Sequence, residues 1–207
     1  MKKLFLIIIA VFIFIMGCSE NNISRSQSTY QKINNMLTNL KSYQANTTIK
    51  YISNKNTCEY KISQYCKADK YKIKITAPAN SAGNITLFDG EKICQFNSKL
   101  NDRVLISQKD KFERSEIFLT SFIKNYNKSL ETSVTVSNIS KQPFTILEAE
   151  IPGEHPFICS EKLFINNQTI KPEKLIIYDH QENERVIVMF DDFTYNPELS
   201  DSIFELQ

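Results

Sequence analysis

Apolar and polar residues alternate along two long stretches of this chain, residues 45–107 and 134–193. Thr47-Ile49-Tyr51 shows the pattern, with polar side chains at the positions between. Short turn-forming segments such as Asp89-Gly90 separate the alternating runs. A period of two residues is typical of a strand that buries one face, and loops this short join antiparallel neighbours. The chain is therefore predicted to fold around an antiparallel sheet.

Two segments depart from this alternation and have helical spacing. Residues 28–42 and 114–127 place apolar side chains every three or four positions. One helix, a run of strands, a second helix and more strands predict an α+β fold. We expect a single curved antiparallel sheet, an open half-barrel of roughly nine to eleven strands, with the helices on its concave face. The two apolar stripes consist of Tyr30, Ile33, Leu37, Leu40 and Tyr43, and of Ile117, Phe118, Phe122, Ile123 and Tyr126.

The N-terminus has the features of an export signal. Lys2 and Lys3 precede the apolar residues 4–16, and a helix of that length, at about 1.5 Å per residue, is shorter than the roughly 30 Å hydrocarbon core. Gly17-Cys18 then resembles a bacterial lipobox, which predicts that residues 1–17 are removed and that the Cys18 thiol carries a diacylglyceryl anchor in the membrane. The alternative is an ordinary cleaved signal followed by an incidental cysteine. The polar residues 18–28 are predicted to be a lipidated, flexible tether, and residues 29–207 the folded domain.

Charge excludes some classes of partner. The signal segment holds two of the 25 basic residues and no acidic one, so the mature chain has 25 − 2 = 23 basic and 23 acidic side chains. A chain without net positive charge offers no general attraction for nucleic acid or for anionic lipid headgroups. We therefore expect no nucleic-acid partner, and membrane attachment through the acyl chains alone.

Composition also argues against catalysis. The four glycines form neither a G-x-G-x-x-G motif nor a P-loop, and the two histidines make no zinc motif, so we expect no cofactor and no metal. His155 and His180 are predicted to lie in solvated loops without a nucleophilic partner. Asp191-Asp192 is expected to point to opposite faces of one strand, which would prevent the two carboxylates from acting together. The prediction is that the protein is not an enzyme.

Four cysteines remain after Cys18: Cys58, Cys66, Cys94 and Cys159. An exported protein can oxidise them to as many as two disulfides, and four free buried thiols are the alternative. Cys58 and Cys66 are eight residues apart on one strand face, about 27 Å, so they cannot bridge each other. Any disulfide would join one of them to Cys94 or Cys159.

Several motifs follow one another along the chain. After the lipobox come the segments 65–73, Phe88-Asp89-Gly90, 118–126, 172–179 and 188–199. Their order resembles that of the LolA/LolB-like lipoprotein-carrier superfamily, and most closely that of the clostridial GerS-type germination lipoproteins. The resemblance covers nearly all of residues 28–207.

This resemblance implies a function in spore germination. Such a protein would bind and activate a cortex N-acetylmuramoyl-L-alanine amidase, so that muramic-δ-lactam is made in cortex peptidoglycan. It would be anchored in the forespore membrane, facing the cortex space. The alternative is a LolA-like carrier or binder of lipid or lipoprotein acyl chains at the cell envelope. A homodimer formed by strand exchange is a further expectation.

Overall fold

The computed structural model describes residues 20–107, 115–153 and 155–205, and side chains in the first helix from residue 28 onward. The predicted signal peptide, residues 1–17, and the predicted lipid attachment site, Cys18, lie outside the described residues. No helix in the described part of the chain is long and apolar enough to span a membrane.

One antiparallel sheet of eleven strands dominates the structure, in the order β6-β5-β4-β3-β2-β1-β11-β10-β9-β8-β7. Every pair of neighbouring strands is consecutive in the chain except β1 and β11, and β6 and β7 form the two edges of the sheet. The sheet stays open, so the predicted α+β fold on one open antiparallel sheet is confirmed. The strands are β1 Ser42–Ile52, β2 Thr57–Lys67, β3 Lys70–Ala77, β4 Ile85–Phe88, β5 Lys92–Asn97, β6 Asp102–Ser107, β7 Thr132–Ile139, β8 Gln142–Glu150, β9 Ser160–Asn166, β10 Lys171–Tyr178 and β11 Glu184–Tyr195.

Two α-helices accompany the sheet, α1 at Glu20–Thr38 and α2 at Leu119–Lys128. Short 3₁₀ helices occupy Ser115–Ile117 and Asp201–Phe204. The chain divides after Thr38, so that α1 lies in a first unit and the sheet with α2 forms the second, Asn39–Gln207.

Helix α1 differs from its prediction at both ends. It already includes residues 20–28, where a flexible tether was predicted, because a helix gains one hydrogen bond per added residue whether or not that residue is apolar. The helix ends at Thr38, before both Leu40 and Tyr43. The helical spacing between these two residues is therefore coincidental. Tyr43 belongs to the period of two in β1.

Helix α2 packs against one face of the sheet, which we call the helix face. Tyr43, Leu163 and Leu175 are buried on this face. Leu119 and Phe122 of α2 are fully buried, and Phe118 just before the helix places its ring 4.7 Å from that of Tyr71 on β3. The prediction of a second helix that packs its apolar stripe on the sheet is confirmed.

The opposite face carries a smaller apolar cluster on β8, β9 and β10. Phe144, Phe164 and Ile176 are buried there. The ammonium group of Lys174 lies 4.3 Å from the centre of the Phe164 ring, a cation–π contact that covers the ring with an amphipathic side chain.

A β-bulge in β11 overturns one prediction. Asn46 pairs with Asp192 and the next residue, Thr47, pairs with Phe190, so Asp191 is the extra residue. Asp191 accepts a hydrogen bond from Thr48 Oγ1 (2.8 Å), and Asp192 accepts one from Asn46 Nδ2 (3.1 Å). Both donors are even-numbered residues of β1, and the even-numbered side chains of that strand lie on the face opposite the helix face. The two carboxylates therefore lie together on that opposite face. The expectation of two different faces is wrong.

Candidate functional site

The helix face contains a cavity of about 340 Å³ over β1, β2 and β3. Alternate residues of the three strands supply most of its wall, because every second side chain of a strand points to the same face. Two residues before α2, Ile117 and Phe118, complete it. The strand residues are Ile49 and Tyr51, Tyr60 and Ile62, and Tyr71, Ile73 and Ile75.

This cavity has the composition of an apolar binding site. Aliphatic and aromatic side chains dominate its lining, with polar contributions from Ser81, Thr86 and Gln95. Its volume is at the lower end of the range of about 300–1,000 Å³ for small-molecule sites. None of Cys58, Cys66, Cys94 and Cys159 is part of the wall. The second predicted apolar stripe contributes its first two residues, Ile117 and Phe118.

Beneath α2, Glu161 of β9 is fully buried on the helix face. One carboxylate oxygen accepts a hydrogen bond of 2.8 Å from Asn125 of α2, and the other has no hydrogen-bond partner in the described structure. Burial raises the pKa of Glu161 to about 7; the bond from Asn125 opposes this rise and the nearby Glu116 adds to it. The sequence analysis did not single out Glu161, since a Glu within an alternating strand gives no sign of which face it occupies.

The cysteines are placed as follows. Cys66 is buried on the helix face, and burial raises the pKa of its thiol to about 12, although a hydrogen bond with Tyr43 acts in the other direction. Such a thiol is protonated and unreactive at neutral pH. Cys94 is buried on the opposite face, Cys58 is exposed and Cys159 is partly exposed. All four are free thiols in this structure.

His155 and His180 are both exposed in loops, as predicted. His180 Nδ1 lies 2.9 Å from the carbonyl oxygen of Pro156. The Cys159 thiol donates a hydrogen bond of 3.3 Å to the His155 carbonyl, not to its ring. Within the described residues, no three His, Cys, Asp or Glu side chains are grouped so that they could hold a metal ion.

A second depression, of about 600 Å³, lies on the opposite face where β10 begins and β11 approaches its end. Lys171 and Lys174 line its β10 side, and Asp191 and Asp192 its β11 side. Phe164 is part of its apolar lining. The sequence analysis missed this groove, because the β11 bulge that brings the two carboxylates to one face depends on pairing with β1.

Comparison of the sequence with models of known protein families identifies the family of this chain. The model of the family described as "Sporulation protein YdcC-like" matches residues 1–204. The chain belongs to the YdcC-like sporulation protein family. No curated protein sequence matches the chain.

Several solved structures resemble this YdcC-like chain. One is a chain of the structure of the CwlD amidase from Clostridioides difficile in complex with the GerS lipoprotein, with 26% identity and a TM-score of 0.51, covering 82% of this chain and 95% of that chain. An uncharacterized conserved protein from Thermus thermophilus has 11% identity and a TM-score of 0.55, over 86% and 91% of the two chains. The LolA superfamily protein NE2245 from Nitrosomonas europaea has 16% identity and a TM-score of 0.44, over 87% and 97%.

Proposed function

We propose that this YdcC-like protein binds and activates an N-acetylmuramoyl-L-alanine amidase of the spore cortex, so that muramic-δ-lactam is formed in cortex peptidoglycan. The observation that carries the proposal is the likeness to a chain of the amidase–lipoprotein complex, which extends over 82% of this chain and 95% of that one. Membership of a sporulation protein family supports the same process.

The chemistry of the described side chains supports binding as the mode of action, and we propose that the protein is not itself an enzyme. The helix-face cavity is lined mainly by aliphatic and aromatic side chains. Glu161, whose pKa of about 7 would suit a general acid or base, is sealed under α2 and lines neither of the two cavities described above. A protein that acts by binding another protein at its surface does not need Glu161 to reach a substrate.

The proposal includes a location. Cys18 would carry a diacylglyceryl group after export, and the anchored domain would face the cortex space from the forespore membrane. Lys2, Lys3 and the apolar residues 4–16 support export, and Gly17-Cys18 supports lipidation. This arrangement would hold the protein on the side of the membrane where the cortex peptidoglycan lies.

An activity titration tests the proposal. Purified residues 19–207 are added in increasing amounts to the cognate cortex amidase, and the release of peptide stems from cortex peptidoglycan is measured. We expect a saturable increase in rate together with a complex of fixed stoichiometry. An amidase that is equally active at every concentration of the added protein, and that forms no complex with it, would contradict the proposal.

The helix-face cavity favours a second candidate, the binding of an acyl chain. Its wall of aliphatic and aromatic side chains suits a hydrocarbon ligand. We would extract the purified protein with organic solvent and identify lipids by mass spectrometry. The comparison is with Ile73→Trp, whose larger side chain would narrow the cavity. A lipid that is present in the wild type and lost in the variant supports this candidate; no lipid in either protein counts against it.

A further inference from the structure

Strands β10 and β11 part from each other near one end. Their pairing extends from Lys174↔Met189 to Tyr178↔Glu184. In β10, Lys171 and Pro172 pair only with β9, and Glu173 is the extra residue of that ladder. In β11, residues 190–195 pair only with β1, apart from the bulged Asp191. One backbone edge of β11 is therefore left without a ladder partner over six residues. We call the space between residues 171–173 and 190–195 the β10–β11 gap.

The local sequence explains why the strands separate. Pro172 has no N–H, so it cannot donate to a neighbouring strand. The pairing of β10 with β9 shifts between Pro172 and Lys174, and that of β11 with β1 shifts at Asp191. Two irregularities on neighbouring strands turn the two backbones away from their common ladder. The local sequence of the two strands therefore accounts for the gap.

The β10 side of the gap carries net positive charge and the β11 side carries negative charge. Lys171 and Lys174 line the β10 side, where the Glu173 carboxylate accepts a hydrogen bond of 2.8 Å from Asn166, and Asp191 and Asp192 line the β11 side. No ion pair between these lysines and aspartates is found in the described structure; the contact recorded for the Lys174 ammonium group is with the Phe164 ring. Side chains of β1 hold the two carboxylates in place while both remain exposed. Both pairs of charges are thus available to a ligand.

We propose that the β10–β11 gap receives an extended polypeptide segment of the amidase, which adds to the free edge of β11 and places acidic side chains near Lys171 and Lys174 and basic ones near Asp191 and Asp192. This proposal rests on the proposed function for the identity of the partner. A free strand edge presents alternating N–H and C=O groups, and an extended polypeptide matches them.

The same features disfavour an acyl chain at this site. An apolar chain in the groove would remove water from the charged groups that line it without offering them a partner, which is strongly unfavourable. A segment with charges of both signs would instead satisfy both sides of the gap, and such complementarity fixes the register of a bound strand.

Charge reversal tests the recognition. We would measure the dissociation constant between the amidase and residues 19–207 carrying Lys171→Glu and Lys174→Glu, with Lys55→Glu and Lys99→Glu as the matched control. The control changes the net charge equally at exposed positions outside the gap. We expect at least tenfold weaker binding for the gap variant and unchanged binding for the control. Circular dichroism and thermal unfolding establish that both variants are folded.

Hydrogen exchange tests the backbone pairing in the wild-type protein, without any substitution. The backbone amides of residues 190–195 that point away from β1 should exchange more slowly when the amidase is bound. If the wild-type protein activates the amidase but the gap variant binds as tightly and these amides show no protection, the gap proposal is wrong and the proposed function stands. If the wild-type protein neither binds nor activates the amidase, both are wrong.

Discussion

The buried Glu161 makes the stability of this protein depend on pH in a direction opposite to that of most carboxylates. Its pKa is raised from 4.5 to about 7, with burial as the main cause. Between these two pH values the folded protein binds a proton that the unfolded chain has released. The stabilising contribution is therefore complete below pH 4.5 and is lost as the pH rises through 7.

Glu161→Gln removes this titration and keeps an oxygen to accept the hydrogen bond from Asn125. At about 1.4 kcal/mol per tenfold step in acidity, the wild type should lose about 2–3 kcal/mol of unfolding free energy between pH 5 and pH 8 through this group alone. The variant should lack that loss, so its stability relative to the wild type should rise by this amount. Burying the new amide group should change the unfolding free energy by about the same amount at both pH values, because an amide does not titrate, so it does not affect the comparison.

Urea unfolding of residues 19–207 at pH 5 and pH 8 measures the difference. Glu150→Gln, an exposed position on β8, is the matched control, and the two histidines are present in all three proteins. The reasoning would be refuted if wild type and Glu161→Gln changed in stability by the same amount between the two pH values.

Three further predictions follow from the sequence and the packing. Cys18→Ala should move the protein from the membrane to the soluble fraction of a cell fractionation; continued membrane association would contradict the lipobox. Phe122→Ala should lower the unfolding free energy by about 3–5 kcal/mol in urea, because this ring on the sheet-facing side of α2 is fully buried. Asp179 is buried, which raises its pKa, but hydrogen bonds from Asn183, Arg185 and Gln181 outweigh this and hold the pKa well below the ordinary value. Its contribution to stability is present above about pH 4 and lost as the pH falls, so Asp179→Asn should be less sensitive to acid unfolding than the wild type.

The cysteines provide a separate check. Thiol titration under non-reducing, denaturing conditions should find four reactive groups in residues 19–207, which lack Cys18, if the free thiols of the structure are kept in solution. Two or zero would indicate one or two disulfides among Cys58, Cys66, Cys94 and Cys159. The predicted strand-exchanged homodimer is tested with the same sample by light scattering, where twice the monomer mass is the expected result.

The architecture of the sheet could be predicted because it depends on local alternation. The Asp89-Gly90 turn forms the β4–β5 hairpin, with Asp89 accepting bonds from the backbone of Glu91 and Lys92. A period of two repeats along each strand whatever its neighbour is. The ends of elements were less predictable, as Tyr43 shows, because one residue can fit the helical period before it and the strand period after it.

The groove could not be predicted for a different reason. The face to which Asp191 points depends on the extra residue in β11, and that residue is defined only by pairing with β1, which lies more than 140 residues away in the chain. Two local signals were present. Pro172 within a strand and two adjacent aspartates within another both interrupt the alternation, and such interruptions are typical of bulges.

The measurement that tests the central claim most directly is the rate of the cognate cortex amidase as a function of added protein. With residues 19–207 of the wild type, we expect the rate to rise and to saturate at one stoichiometry, and muramic-δ-lactam to appear in cortex peptidoglycan treated with the complex and the remaining enzymes of its formation. An amidase that reaches the same rate and yields the same product without this protein would contradict the account.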